Sequence, residues 1–477
     1  MTQRRAVLAA AGGAVALVCV AVAGPDVASA HGLVGRQDLP IPRWLFAWAA
    51  AVVLIVSFVG LAVLWPRPRL EDPPPGRRLL RLPAEPLEVL GGVVGVAAFA
   101  GVVYAGLAGT QTATANLAPT TIYVIFWVGI PVASALFGDV FRLLNPWRAV
   151  ARAVAWVARR GMGDGLPEPL AYPEWLGRWP AAIGILAFAW VELIYANRDA
   201  PDQLAVMALA YAATQLVGMS LFGIELWSRR ADAFGVYFGL FARLSPLRWT
   251  DGRLELRRPL SGVAALDVVP GTVALLCVMI GTTSFDGFSN GPTWSSLAPH
   301  IQSFFASLGL SSEHALEAAF TVGLLGVVGV ISACYRLGIL GMRTVDPSRS
   351  AGELARRFVG SLVPIALAYV VAHYFSLLAY QGQAVAYLAS DPLGDGSNLL
   401  GTASSTIDYG VITSTGIWYV QVAALVLGHA AGLALAHDRA LVLYRRPSEA
   451  TRSQYWMLAV MVAFTSLGLW LLSAQAQ

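Results

Sequence analysis

Ionisable side chains inside long apolar runs are where chemistry can reside in this sequence, because each costs several kcal/mol to hold in hydrocarbon. His31 follows Ala28-Ser29-Ala30, a small-residue pattern that a signal peptidase cuts. Processing there leaves His31 as the amino terminus, so that its α-amine and imidazole form a chelating pair for copper or zinc. His373, in Ala372-His373-Tyr374-Phe375, lies about two turns from the end of an apolar run by helical rise. A neutral imidazole at that depth serves as a metal ligand, a general base or a hydrogen-bonded core residue. Glu192, in Trp190-Val191-Glu192-Leu193-Ile194-Tyr195, is a carboxylate near the end of another run, where a water-lined or metal-lined cavity is its alternative to lipid. Asp286 is the acid of Gly281-Thr282-Thr283-Ser284-Phe285-Asp286-Gly287-Phe288-Ser289-Asn290-Gly291-Pro292-Thr293-Trp294. That stretch, read as a loop, either cradles a ligand or caps a helix and turns the chain.

Other polar positions suggest structural roles. His429, between Gly428 and Ala430 near mid-membrane, points to close helix packing. His437, beside Asp438 and Arg439, reads as an interface residue, and His314, with Glu313 and Glu317 nearby, as part of a helix start. Asp391, Asp395 and Asp408 stand among Gly and Ser, where they hold a hard cation or polar substrate, or belong to a solvated loop. Cys277 and Cys334 fall inside apolar runs as small core residues. The signatures HExxH, CxxC and G-x-G-x-x-G are missing. All 32 basic residues are Arg, which excludes a P-loop lysine, a Schiff base and a Ser-Lys dyad.

The elements that must position these groups follow from composition. With 57% hydrophobic and 13% charged residues in 477, the chain is too apolar for an ordinary soluble protein, and nothing in it supports nucleic-acid binding. Residues 1–30 read as a signal peptide: Arg4-Arg5, an apolar run to Gly24, then the cleavage site. Ten further runs, near 44–65, 87–108, 120–138, 180–197, 204–227, 264–284, 316–337, 358–380, 416–437 and 455–473, each approach the ~20 residues that a membrane-crossing helix needs. They lack period-two alternation, so the expected fold is an all-α, polytopic transmembrane bundle forming a single domain over 31–477.

Arginine sets the orientation. With ten spans and the mature amino terminus outside, Arg collects in alternate loops, and only Arg36, Arg43 and Arg198 stay on the outer side. That places the protein in the inner (plasma) membrane with both termini outside. The inner loops 142–160 and 229–258 are expected to include amphipathic segments lying in the interface rather than crossing it, and the proline-rich 66–86 to be a stiff linker. Phe141, Leu144, Pro146 and Arg148 are echoed at Phe241, Leu244, Pro246 and Arg248, from an internal duplication or from two similar turns.

The mature start His31-Gly32-Leu33-Val34-Gly35-Arg36-Gln37-Asp38-Leu39-Pro40-Ile41-Pro42-Arg43-Trp44-Leu45, with Ser57-Phe58, resembles bacterial polytopic membrane proteins known as fenitrothion hydrolases. Thr282–Trp294 and Leu144-Asn145-Pro146-Trp147-Arg148 are similar to the same group. The resemblance implies hydrolysis of an aryl phosphorothioate triester, a small hydrophobic substrate reaching the protein from the lipid bilayer. The residues themselves leave three readings open. One is a hydrolase in which His31, His373 and Asp286 hold a divalent metal and Glu192 or Asp286 acts as base. The others are a transporter or sensor of a metal ion or small molecule, and an assembly partner without chemistry of its own.

Overall fold

The computed structural model describes residues 43–474 except 82, 163–167 and 251. The signal segment 1–30 and His31 lie outside the described residues.

The principal helices are α1 (Arg43–Leu64), α2 (Ala84–Ala108), α3 (Leu117–Phe137), α4 (Val140–Leu144), α5 (Pro146–Met162), α6 (Trp179–Leu193), α7 (Pro201–Phe222), α8 (Ile224–Arg230) and α9 (Ala233–Ala242). They continue with α10 (Thr272–Ser289), α11 (Pro292–Ser307), α12 (Ser312–Met342), α13 (Ala351–Phe358), α14 (Leu362–Gln381), α15 (Ser414–Leu443) and α16 (Tyr455–Ala474). A helix lies in each of the ten apolar runs. Among the described residues seven helical stretches are long and apolar enough to cross a membrane: Ala84–Ala108, Leu117–Phe137, Pro201–Phe222, Thr272–Ser289, Ser312–Met342, Ala351–Leu388 and Ser414–Leu443. The apolar helices over Trp48–Leu64 and Trp179–Leu193 are shorter.

The bundle is built around α10. Of its apolar window 72% is buried, against 22% for α12, so α10 runs through the interior and α12 along the outside. α10 packs against α6, α12 and α14, and the tightest helix pair is α14 with α15. Small residues permit that closeness. A Cβ on Gly428 would stand 2.2 Å from Ala368 Cβ and 2.9 Å from Pro364 O, as the packing reading of the His429 neighbourhood anticipates.

The segment 229–258 differs from expectation. Instead of lying at an interface, α9 is a core helix whose Phe234, Tyr237, Phe238 and Phe241 are buried, with Tyr237 stacked on Trp127 at 4.8 Å. Its apolar content is continuous rather than one-faced, which is the pattern of a helix enclosed on all sides. By contrast α5 is amphipathic: Val154, Trp156 and Val157 are exposed while Arg148 is buried against Glu225, Nη2 to Oε1 2.7 Å.

A second difference is a small sheet in an otherwise helical chain. β1 (Arg77–Arg81), β2 (Leu247–Thr250) and β3 (Arg253–Leu256) form an antiparallel sheet in the order β1-β3-β2. Gly252, just before β3, adopts φ +73°, which a side chain would strain. Arg248 sits opposite Glu255 across the hairpin, Nη2 to Oε2 2.5 Å. The expected linker therefore ends as a sheet strand. The 141–148 and 241–248 echoes also diverge, because Pro146 opens α5 whereas Pro246 leads into β2.

Two buried aspartates tie the elements together. Asp438 on α15 accepts from Trp65 Nε1 (2.8 Å) and from the backbone N–H groups of Arg69 (2.6 Å), Leu70 (2.9 Å) and Glu71 (2.9 Å), clasping the start of the linker. Asp232 caps α9 by accepting from Gly235 N (3.2 Å) and also accepts from Tyr211 Oη (2.7 Å), Trp147 Nε1 (2.7 Å) and Asn145 Nδ2 (2.9 Å).

Candidate functional site

Asp286 lies on a helix and not in a loop, which corrects the expectation for 281–294. α10 continues to Ser289 because its hydroxyls turn inward on the helix: Thr282 and Thr283 both donate to Met279 O. At its end Ser289 Oγ and Asn290 Nδ2 donate to Asp286 O, at 2.9 and 2.8 Å. Asp286 is thereby held one turn inside the helix terminus, facing α14.

There it meets His373. Asp286 Oδ2 lies 2.7 Å from His373 Nε2 and accepts a second hydrogen bond from Tyr374 Oη at 2.8 Å. Both side chains of the pair are only 16% exposed, so the contact is shielded from bulk water. A carboxylate acceptor holds the imidazole proton on Nε2 and leaves the Nδ1 lone pair outward. Among the described residues Nδ1 has no hydrogen-bond partner.

Glu192, the penultimate residue of α6, completes the neighbourhood. It is close enough to Asp286 for their charges to act on one another, and both act on Tyr374. Its Oε2 is buried and has no hydrogen-bond partner among the described residues. Ser284 Oγ on α10 is in the same condition. From α3, Trp127 lies beside Tyr374 with its buried Nε1 lacking a hydrogen-bond partner among the described residues, and the Tyr123 hydroxyl donates to Arg198 O at 2.8 Å. The region around Tyr123 and Trp127 is wound as a π-helix, Thr121–Gly129, a form that often marks functional sites.

The structure thus brings Glu192, Asp286 and His373 into one neighbourhood, while His31 lies outside the described residues. Among the described residues no group of three His, Cys, Asp or Glu is placed to hold a metal ion. His373 spends one ring nitrogen on Asp286, which leaves Nδ1 as its available donor.

The remaining polar positions find local partners. Asp391 accepts from Asp395 N and Gly396 N, Asp395 pairs with the Ser397 hydroxyl, and Asp408 accepts from Gly410 N, so these acids shape their own loop. His314 Nδ1 meets Ser311 Oγ at 2.7 Å at the start of α12. His437 is 1% exposed, not an interface residue; its Nε2 donates to Trp65 O at 3.1 Å. Cys277 and Cys334 are free thiols within α10 and α12.

Tyr374 and Trp127 escaped the sequence reading. An aromatic residue inside an apolar run carries no signal of its own, although the adjacency of Tyr374 to His373 was the available clue. No family model matches the chain, and no curated protein and no solved structure matches it, so fold and site are argued from its own residues.

Proposed function

We propose that the protein is a ten-span inner-membrane hydrolase, made with a signal peptide removed after Ala30, with both mature termini outside and the arginine-rich end in the cytoplasm. Its substrate is an apolar phosphotriester of the fenitrothion class, which the sequence resemblance names and a lipid-embedded site suits. One observation carries the reading: Asp286 engages His373 through Nε2 at 2.7 Å and leaves the second ring nitrogen unengaged.

That arrangement is the acid–base half of a hydrolytic site. His373 Nδ1 takes a proton from water as the oxygen attacks phosphorus; the bond to the aryl oxygen breaks, and the aryloxide leaves or is protonated by the imidazolium. Asp286 orients the ring and stabilises its cationic form, and Tyr374 fixes the carboxylate. Glu192, with a free buried oxygen, is placed to accept a hydrogen bond from the water. In the metal variant of this reading His31 and His373 would hold a copper or zinc ion that would activate the water, and metal analysis of the processed protein checks it; a carboxylate on one ring nitrogen also orients metal-bound histidines.

The test is release of nitrophenolate from a nitrophenyl phosphorothioate triester by protein in lipid nanodiscs. His373→Gln is expected to lower the rate about 10²-fold or more, the usual contribution of a positioned base. A wild-type rate equal to that of empty nanodiscs, or an unchanged rate in His373→Gln, removes the hydrolytic reading. The transport alternative would then remain.

A further inference from the structure

We infer that His429 and Tyr369 form a proton route through the bundle, from the Asp286–His373 pair to a cavity at the arginine-rich end. His429 is 1% exposed on α15. Its Nδ1 lies 2.8 Å from Leu425 O, one turn back on its own helix, and a carbonyl partner requires that nitrogen to carry the proton. Nε2 is therefore a bare acceptor, and it has no partner among the described residues. A leucine would pack at this position without leaving a buried nitrogen unsatisfied. Close packing accounts for Gly428 but not for the imidazole beside it.

Its surroundings order the route. α14 faces it with Tyr369, whose ring centre lies 6.1 Å from that of His429. Tyr369 stands four residues before His373 on the same helix, about 6 Å by rise. Its hydroxyl reaches Phe464 O on α16 at 3.4 Å, a long contact that leaves it able to exchange partners. Thr465, the buried hydroxyl of α16, is spent on Met461 O at 2.9 Å. No charged group among the described residues acts on His429.

Towards the other end, Gly432, one turn beyond His429, packs against Ser361 O. Ser361 lines a cavity of about 360 Å³ together with Leu435 and Ala436. The mouth of that cavity carries Glu71, Asp267, Glu353, Arg356, Arg357 and Arg439, a polar lining that admits water. Pair, tyrosine and histidine are spaced by about one helical turn each, and Leu435 of the cavity lining stands six residues beyond His429, about 9 Å by rise, gaps that bridging waters span. In the transfer, Nε2 accepts a proton from the water on the Tyr369 side, giving an imidazolium, and yields a proton to the water on the cavity side. No other bond is made or broken, and the ring returns neutral.

This conduction is independent of triester hydrolysis and is measured without any triester. The full-length processed protein is reconstituted in neutral-lipid vesicles containing a pH-sensitive dye, with potassium and valinomycin clamping the potential. An imposed pH gradient is expected to collapse at least tenfold faster than in protein-free vesicles. His429→Gln should remove most of that increment, and Tyr369→Phe, which deletes only a hydroxyl, should slow it several-fold. Wild-type vesicles that hold the gradient as long as protein-free ones overturn the inference. So does either variant, shown to be monodisperse and folded, if it conducts as fast as the wild type.

Discussion

Asp232 and Asp438 each collect four donors, and a carboxylate so surrounded is a structural rivet. Glu192, a partly buried residue, keeps one buried oxygen with no partner among the described residues, and Asp286 shares a single oxygen between a histidine and a tyrosine. The contrast separates stability from function. Asp438→Asn removes the charge that four donors converge on and is expected to cost about 3 kcal/mol, the scale for breaking a buried charged cluster. Glu192→Gln exchanges one under-bonded group for another and should leave stability within about 1 kcal/mol while lowering triester turnover by about tenfold or more. Thermal unfolding in detergent and turnover on the same preparations check both; the opposite ranking would reverse the two assignments. The depth criterion that found Glu192, Asp286 and His373 in the sequence works because an ionisable group inside an apolar run needs a reason to be there. It missed Asp232, which stands in an arginine-bearing segment where an acid draws no attention. It also misjudged His437, whose neighbours Asp438 and Arg439 look like a solvated end until the linker folds over them.

Elements were legible where an apolar run is long and uninterrupted, and misread where local composition argued against tertiary contacts. The Gly, Thr and Ser of 281–289 resemble a loop, yet enclosure by α6, α12 and α14 keeps the chain helical to Ser289. The prolines of 66–75 announce an extended segment without revealing that it ends by pairing with a hairpin more than 150 residues away. Between these elements α8 is bound to α4 and α5 by Glu225, which takes Arg148 at 2.7 Å and Arg142 at 3.3 Å. Burial pushes the Glu225 carboxyl up, but the hydrogen bond and charge of Arg148, with Arg142 and Arg152, outweigh it and hold the carboxyl below its ordinary 4.5. A depressed folded-state value means the contact contributes fully above the unfolded value and is lost as pH falls through the folded one. The melting temperature is therefore expected to be insensitive to this group at neutral pH and to decline below about pH 4.5. Glu225→Gln should be less stable than wild type at pH 7 and show a shallower acid decline. Parallel declines in the two proteins would show that other carboxylates govern the acid limb.

For the molecule as a whole, the distribution of arginine and the two ends of the bundle carry the same message. Every arginine-rich segment, the sheet and the charged cavity gather at one end, while the Asp286–His373 pair lies toward the other. Basic residues are retained on the cytoplasmic side during insertion, so the site should open to the opposite compartment and the cavity to the cytoplasm. Two exposed serines give a direct reading: Ser405 lies in the arginine-free segment between α14 and α15, and Ser448 in the arginine-bearing segment between α15 and α16. Neither side chain makes a hydrogen bond among the described residues, so Ser405→Cys and Ser448→Cys are expected to be neutral for folding. The natural Cys277 and Cys334 sit within helices and supply the background. In intact spheroplasts a membrane-impermeant maleimide should label Ser405→Cys at once and Ser448→Cys only after lysis. Reversed labelling would invert the bundle and expose the Asp286–His373 pair to the cytoplasm. Labelling of both positions from outside would mean that the number of crossings between them is even, removing α15 as a span and with it the ten-span arrangement.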